Sequence, residues 1–387
     1  MKLFRRIVLR GAAVLSLIIV IALGYVKITR GSGATYPNLN TAPLFGPHAV
    51  SIAAELPLPP GNVAVAADGR IFFNYHYLGG KDRAGNSVFE LINGTPVPYP
   101  NTAFQPNFNT TLGMVIDAQN RLWTIDPGGV DGARNTRLLA FDLATNEIAY
   151  DYTFLSDDAD FAQDLQVSSD GRTVYAASTG VFGFVPANLI VLDTASGVAQ
   201  IRLKGDASVE PQPWRIHTQQ GDGVTTFFGL IDWQAGVDGL ALTHDDTWLY
   251  FGGISHDTLY RIRTSDLRNA QLSDTDLAMR IEPVAKKPLS DGFKADAQGN
   301  VYLTDIEHGS IVRVSPEGTL VTLVQDPRVR WADGLSFGPD NTIYFSDSAI
   351  PAYLTNTAQP SGPEVHATEG PYYLFKFTND LAGAPAR

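Results

Sequence analysis

One unit, repeated six times, constrains what this chain can fold into. Its clearest copy is Leu289 to Asp305, LSDGFKADAQGNVYLTD. Phe293 and Ala295 alternate with polar neighbours, Ala297-Gln298-Gly299-Asn300 supplies turn chemistry, and Val301-Tyr302-Leu303 is a β-rich run. The other copies are NVAVAADGRIFFN from Asn62, LGMVIDAQNRLWTID from Leu112, DLQVSSDGRTVYAAS from Asp164, DGLALTHDDTWLYFGG from Asp238 and DGLSFGPDNTIYFSD from Asp333. Aligned on Asn62, Leu112, Asp164, Asp238, Asp291 and Asp333, the copies are separated by steps of 50, 52, 74, 53 and 42 residues. Paired strands recurring at this period are the signature of a β-propeller, because a small sheet cannot bury both faces alone but a ring of sheets can. The expectation is an all-β, six-bladed β-propeller over residues 49–387.

The blades are expected at roughly 57–107, 108–157, 158–232, 233–286, 287–327 and 328–380. Ala49 to Leu58 reads as a strand before the first repeat, and Tyr372 to Phe377 as a strand after the last. Together these predict a ring closed by strands from the two chain ends in one blade. Residues 31–48, rich in Gly, Pro, Asn and Thr, read as a linker. Two insertions stand out, Gly205 to Gly236 and Ile350 to Pro371. Long loops on a rigid scaffold carry binding or lie as ordered surface flaps.

The first 30 residues carry six bases and no acid, and sixteen largely apolar residues run from Gly11 to Val26. This is the pattern of a signal peptide or a membrane anchor, with the rest of the chain exported to the periplasm or the exterior. Arg5-Arg6 resembles a twin-arginine signal, and Ala22-Leu23-Gly24 a weak cleavage site; cleaved signal and retained anchor both stay open. Net charge is −12, which leaves −18 on the remainder. Such an acidic domain is a poor partner for nucleic acid, so the membrane is expected to be met only through the N-terminal segment, by a monomer. Cysteine is absent, which removes disulfides and thiolate metal sites. There is no GxSxG, P-loop, Rossmann fingerprint or HExxH.

Chemistry is therefore sought where the innermost strands begin, at one mouth of the central channel. Asp164, Asp238, Asp291 and Asp333 would converge there with Asn62. Aspartates near one axis repel one another unless they are protonated or bridged by a cation. All-oxygen donors suit a divalent ion such as Ca²⁺, with Asp291, Asn62, Asp164 and Asp238 as its ligands. The structural alternative is that each Asp-Gly caps backbone groups and makes the turn into its blade. Trp214, Trp233 and Trp331 are candidate walls of a ligand site with Asp164, Asp238 and Asp333. His76 and His308 follow the second strands of their repeats and read as exposed loop residues.

Leu112 to Pro127, Asn188 to Asp193 and above all Gly236 to Leu267 (GVDGLALTHDDTWLYFGGISHDTLYRIRTSDL) resemble the major royal jelly/yellow protein family. The resemblance implies a secreted six-bladed propeller, with members that bind small amines and members linked to dopachrome conversion. It carries no shared catalytic set. The fifth repeat is also similar to the SMP-30/gluconolactonase group, in which a Glu, two Asn and an Asp hold a divalent ion. Asp291 matches that Asp. The other three positions fall at Gly61-Asn62, Thr111-Leu112 and Gln163-Asp164, which depart from the pattern. Two functions follow as expectations: a binding protein for a small, cationic ligand, or a metal-dependent lactone hydrolase.

Overall fold

A computed structural model describes residues 2–80, 82, 85–127, 135–155, 159, 161–180, 185–354 and 370–379. Six four-stranded antiparallel sheets form the ring. Their innermost strands are Pro60–Val65, Met114–Ile116, Ala162–Val167, Val237–Leu242, Phe293–Ala295 and Ala332–Phe337. In blades 1 to 5 each sheet is built outward in chain order. The second strand of each blade is among the most buried, as in Thr173–Ser178 and Val301–Asp305. Both of its faces meet apolar neighbours, so it reads as a continuous apolar run rather than an alternating one.

The sixth blade is made from both chain ends. Ser51–Leu56 pairs antiparallel with Tyr372–Thr378, in register Ser51 to Lys376 and Leu56 to Tyr372. Tyr372–Thr378 in turn pairs with Thr342–Asp347. The expected closure is thereby met, with the N-terminal strand on the outside of the blade.

Six apolar clusters fill the six spaces between neighbouring blades. Blades 2 and 3, for example, meet through Val115, Trp123, Ile125, Leu165, Val174 and Ile190. Blades 5 and 6 meet through Tyr302, Ile311, Leu335, Phe345 and Phe375. Burying each such side chain contributes about 1.5–3 kcal/mol, so the ring is held mainly by its sheet-to-sheet faces. A seventh cluster, of Tyr36, Ile216, Val224, Ile254, Ile306 and Trp331, caps one face of the ring. In it the 205–236 insertion and the segment expected as a linker pack onto Ile254, Ile306 and Trp331 of the ring.

That segment does not hang as a tether. Ala34–Thr35 lies parallel to Trp214–Arg215. Tyr36 is buried edge-on against Trp214, at 4.9 Å between ring centroids. Asn40 donates from Nδ2 to Asp305 at 2.8 Å, and the amides of Leu44 and Phe45 donate to the carbonyls of Thr322 and Leu323. Its polar, turn-forming composition serves these bonds to the ring rather than freedom from it. Ahead of it, Lys2–Arg30 is one helix, and within it Leu9–Arg30 is long and apolar enough to cross a membrane. It is compatible with a signal or anchor segment. The second insertion expected, Ile350 to Pro371, is described only in part: Pro351–Leu354 is helical, and residues 355–369 lie outside the described residues.

Candidate functional site at the channel mouth

The six aligned residues do converge. Asn62, Leu112, Asp164, Asp238, Asp291 and Asp333 all line one cavity of about 390 Å³ at the end of the channel where the innermost strands begin. Local irregularity aims them there. Strand register slips between Pro60 and Val63, Ala162 and Asp164, Val237 and Leu240, and Ala332 and Leu335. A bulge of this kind bends the strand and re-aims a side chain that regular pleating would direct into a blade interface.

The glycine of the Asp-Gly pairs answers to packing. A Cβ on Gly292 would collide with the carbonyl of Asp333, and one on Gly239 would collide with the ring of Phe293. Neighbouring innermost strands approach this closely only because the residue after the aspartate has no side chain. The aspartates themselves do different things. Asp164 accepts from the amides of Leu165 (2.8 Å) and Leu240 (3.1 Å), which ties blade 3 to blade 4. Asp291 accepts from the indole Nε1 of Trp331 at 2.6 Å. Asp333 is bonded to Ser348. Asp238 is only 5% exposed, faces the cavity, and receives no hydrogen bond among the described residues.

Burial raises all four carboxyl groups. Asp291 is pushed up to about 6, against the pull of the Trp331 indole and of Lys287. Asp164 reaches about 7, despite its two backbone donors and nearby Lys294. Asp238 and Asp333 lie well above the usual carboxylate range, first through burial and then through the charges of the other aspartates. Near neutral pH this ring therefore holds both protons and negative charge, and it can take up a cation by releasing protons.

The cavity walls differ from the expectation. Trp233 lines the cavity, whereas Trp331 is fully buried behind it, edge-on at 5.7 Å. Trp214 lies in the capping cluster and donates from Nε1 to Gln212 at 2.7 Å. The walls are completed by His76, Tyr77, Leu78, Phe161, Ile254, Ile350 and Leu354, with Lys294 on the floor strand of blade 5. His76 is thus not an exposed loop residue. It is 6% exposed, and burial lowers it to about 3, so it faces the cavity neutral. The signal for it was topological: the second strand runs back to the end where the first one starts, so the residue after it belongs at the mouth.

His308 is half-buried rather than exposed. Its Nδ1 lies 2.9 Å from Asp305, beside a second cavity of about 290 Å³ that also meets His217 and Glu307. Glu307 is raised by burial to about 7.

For a divalent ion the donors at the mouth are poorly placed. Among the described residues no three His, Cys, Asp or Glu side chains are grouped so as to hold a metal. Asn62 Oδ1 accepts from the amide of Val63, and Asp164 and Asp291 carry the bonds given above. As they stand, Asp291, Asn62, Asp164 and Asp238 do not form a cage.

Comparisons with known proteins agree with this architecture. The chain is similar in fold to a gluconolactonase from Xanthomonas campestris, with 14% identity, 92% of this chain and 98% of that one covered, and a TM-score of 0.52. It is similar also to a calcium-binding protein, regucalcin, from Agrobacterium tumefaciens, with 12% identity, 87% and 96% covered, and a TM-score of 0.52. At such identities the likeness speaks for the fold. No curated protein sequence matches the chain significantly. A family model described as Major royal jelly protein matches residues 110–339, from the second blade into the sixth, and so spans five of the six aligned positions at the mouth. That is more than half of the sequence, and the chain belongs to the major royal jelly protein family.

Proposed function

We propose that this propeller is an exported binding protein that takes a small organic cation, an amine with an apolar body, into the cavity at the channel mouth. The observation that carries this reading is Asp238: a carboxyl group buried at the mouth, facing the cavity, with no donor to it among the described residues. A protonated amine supplies the missing donor and the missing charge together. The neighbouring aspartates add negative potential, while Trp233, Tyr77 and Phe161 supply apolar and aromatic surface. Cation–π contact with such rings adds about 0.5–2 kcal/mol. The neutral state of His76 favours the same ligand, since a charged imidazole there would oppose it.

Metal-dependent lactone hydrolysis is the second reading. It draws on the fold shared with a gluconolactonase and with calcium-binding regucalcin. It asks for a grouped donor set, and among the described residues no three His, Cys, Asp or Glu side chains are grouped to hold a metal, so the amine reading stands first.

Titration calorimetry of the full chain in detergent tests the two together, with a panel of primary aromatic and aliphatic amines in one arm and Ca²⁺ in the other. Saturable amine binding that Asp238→Asn abolishes is expected. Absence of amine binding, with Ca²⁺ bound saturably and lost in Asp291→Ala, would replace the amine reading with the metal one.

A further inference from the structure

The insertion between blades 3 and 4 carries a short hairpin, with Thr225–Thr226 paired to Ile231–Asp232. Its tip is Phe227-Phe228-Gly229-Leu230. Phe227 is 57% exposed and Phe228 is 90% exposed. Both have left-handed backbones, with φ of 50° and 58°. A bulky residue adopts that region at a cost, so the turn holds two phenyl rings outward against its own preference. In a domain this acidic, an aromatic tip turned to the outside calls for an apolar surface to meet.

The tip is joined to the end of the N-terminal helix. Lys27 Nζ donates to the carbonyl of Gly229 at 2.7 Å. Arg215 donates to the carbonyl of Gly31 at 2.6 Å, and the amide of Gly33 donates to Asp232 at 2.7 Å. The apolar run of the helix ends at Val26, one residue before Lys27. With that run in the hydrocarbon of a bilayer, Lys27 stands at headgroup level, and so does the hairpin bonded to it. Aromatic side chains favour this level, and Tyr25, 68% exposed on the helix, belongs to the same belt.

We propose that Phe227-Phe228 is a second membrane contact, sunk into the interface of the same bilayer that the retained N-terminal helix crosses. The helix is then an anchor rather than a cleaved signal. Because the insertion links the outer strand of blade 3 to the start of the innermost strand of blade 4, it leaves the ring on the face that holds the cavity mouth. Trp233, one wall of that cavity, directly follows the hairpin. The ring therefore stands with its mouth toward the lipid.

The chain has no cysteine, so Phe228→Cys accepts a single environment-sensitive fluorophore. An exposed side chain gives up no packing on substitution. Val198→Cys, at the start of an outer strand and hence at the far end of blade 3, serves as the reference. The full chain is reconstituted into vesicles of phosphatidylcholine and phosphatidylglycerol carrying nitroxide at the shallow acyl positions. Quenching at position 228 is expected to exceed that at position 198 several-fold, with a blue-shifted emission. Equal, weak quenching at both positions would overturn the proposal. So would a tip that crosslinks to another polypeptide without sensing the nitroxide, or a mature chain whose mass shows residues 1–30 removed. None of these results depends on whether an amine binds in the cavity.

Discussion

The indole Nε1 of Trp331 donates to Oδ2 of Asp291 across 2.6 Å, and the indole is fully buried between that carboxylate and Trp233. The bond fixes one member of the aspartate ring from behind and leaves the cavity side of the carboxylate to a ligand. Trp331→Phe keeps most of the packing and removes the donor. A hydrogen bond to a charged group contributes about 1.5–3 kcal/mol, so a loss of ~2 kcal/mol is expected in chemical denaturation above pH 7. The titration of Asp291, followed by carboxyl NMR, should move upward from about 6. An unmoved titration would show that the indole does not set this group.

Asp238→Asn should separate stability from binding. The buried carboxylate is opposed by burial and by the charges of Asp291, Asp164 and Asp333. Neutralising it removes that opposition without leaving a protein donor unmet. Each pKa unit of elevation corresponds to about 1.4 kcal/mol, so a gain of ~1 kcal/mol or more is expected near pH 8 and almost none near pH 4. Amine affinity should fall at least tenfold in the same variant. Thermal melts at the two pH values and calorimetry read the two effects.

Two of these carboxyl groups give the pH profile a sign. Asp291 and Asp164 have folded values of about 6 and about 7, above the unfolded range near 4. Their contribution to stability is full below the unfolded value and is lost as pH rises through about 6 to 7. A cationic ligand favours the ionised forms, so its affinity should rise over that same interval and its binding should release protons. Calorimetry in buffers of different ionisation enthalpy measures that release; zero release at pH 6 would contradict the shared-proton ring.

Ring closure should be sensitive to Phe375. It is buried in the C-terminal strand, stacked on Phe345 at 5.5 Å, and faces the space between blades 5 and 6. Phe375→Ala should cost about 3–5 kcal/mol in urea denaturation. A far smaller loss would mean that the closing strand packs loosely.

How much of this was legible beforehand follows from what kind of signal each part leaves. The blades were legible because period and turn chemistry are local. The six positions at the mouth were legible because repeats align equivalent residues, even Leu112, which has no polar atom to offer. Trp331 was not: it stands two residues before Asp333, and pleating would turn both to one side. The bulge between Ala332 and Leu335 breaks that alternation, and the indole goes behind the site. Trp214 likewise belongs to the cap, because Tyr36 arrives from a segment whose composition spoke only of turns. His76 and Tyr77 needed the strand directions as well as the residues. Lys294 lay inside a strand whose role was read from its apolar neighbours.

The shared sixth blade has a consequence for how this molecule comes into being. Ser51–Leu56 is among the first strands out of the ribosome, and its partner Tyr372–Thr378 is among the last. At about 5–20 residues per second, the early strand waits for roughly a quarter of a minute to a minute with an open edge. During that time five blades can stack, but nothing latches the first to the last. A message cut short, or a ribosome stalled before residue 372, yields a crescent with two sticky ends in place of a ring. Quality control need inspect only one seam to know whether the whole chain has arrived.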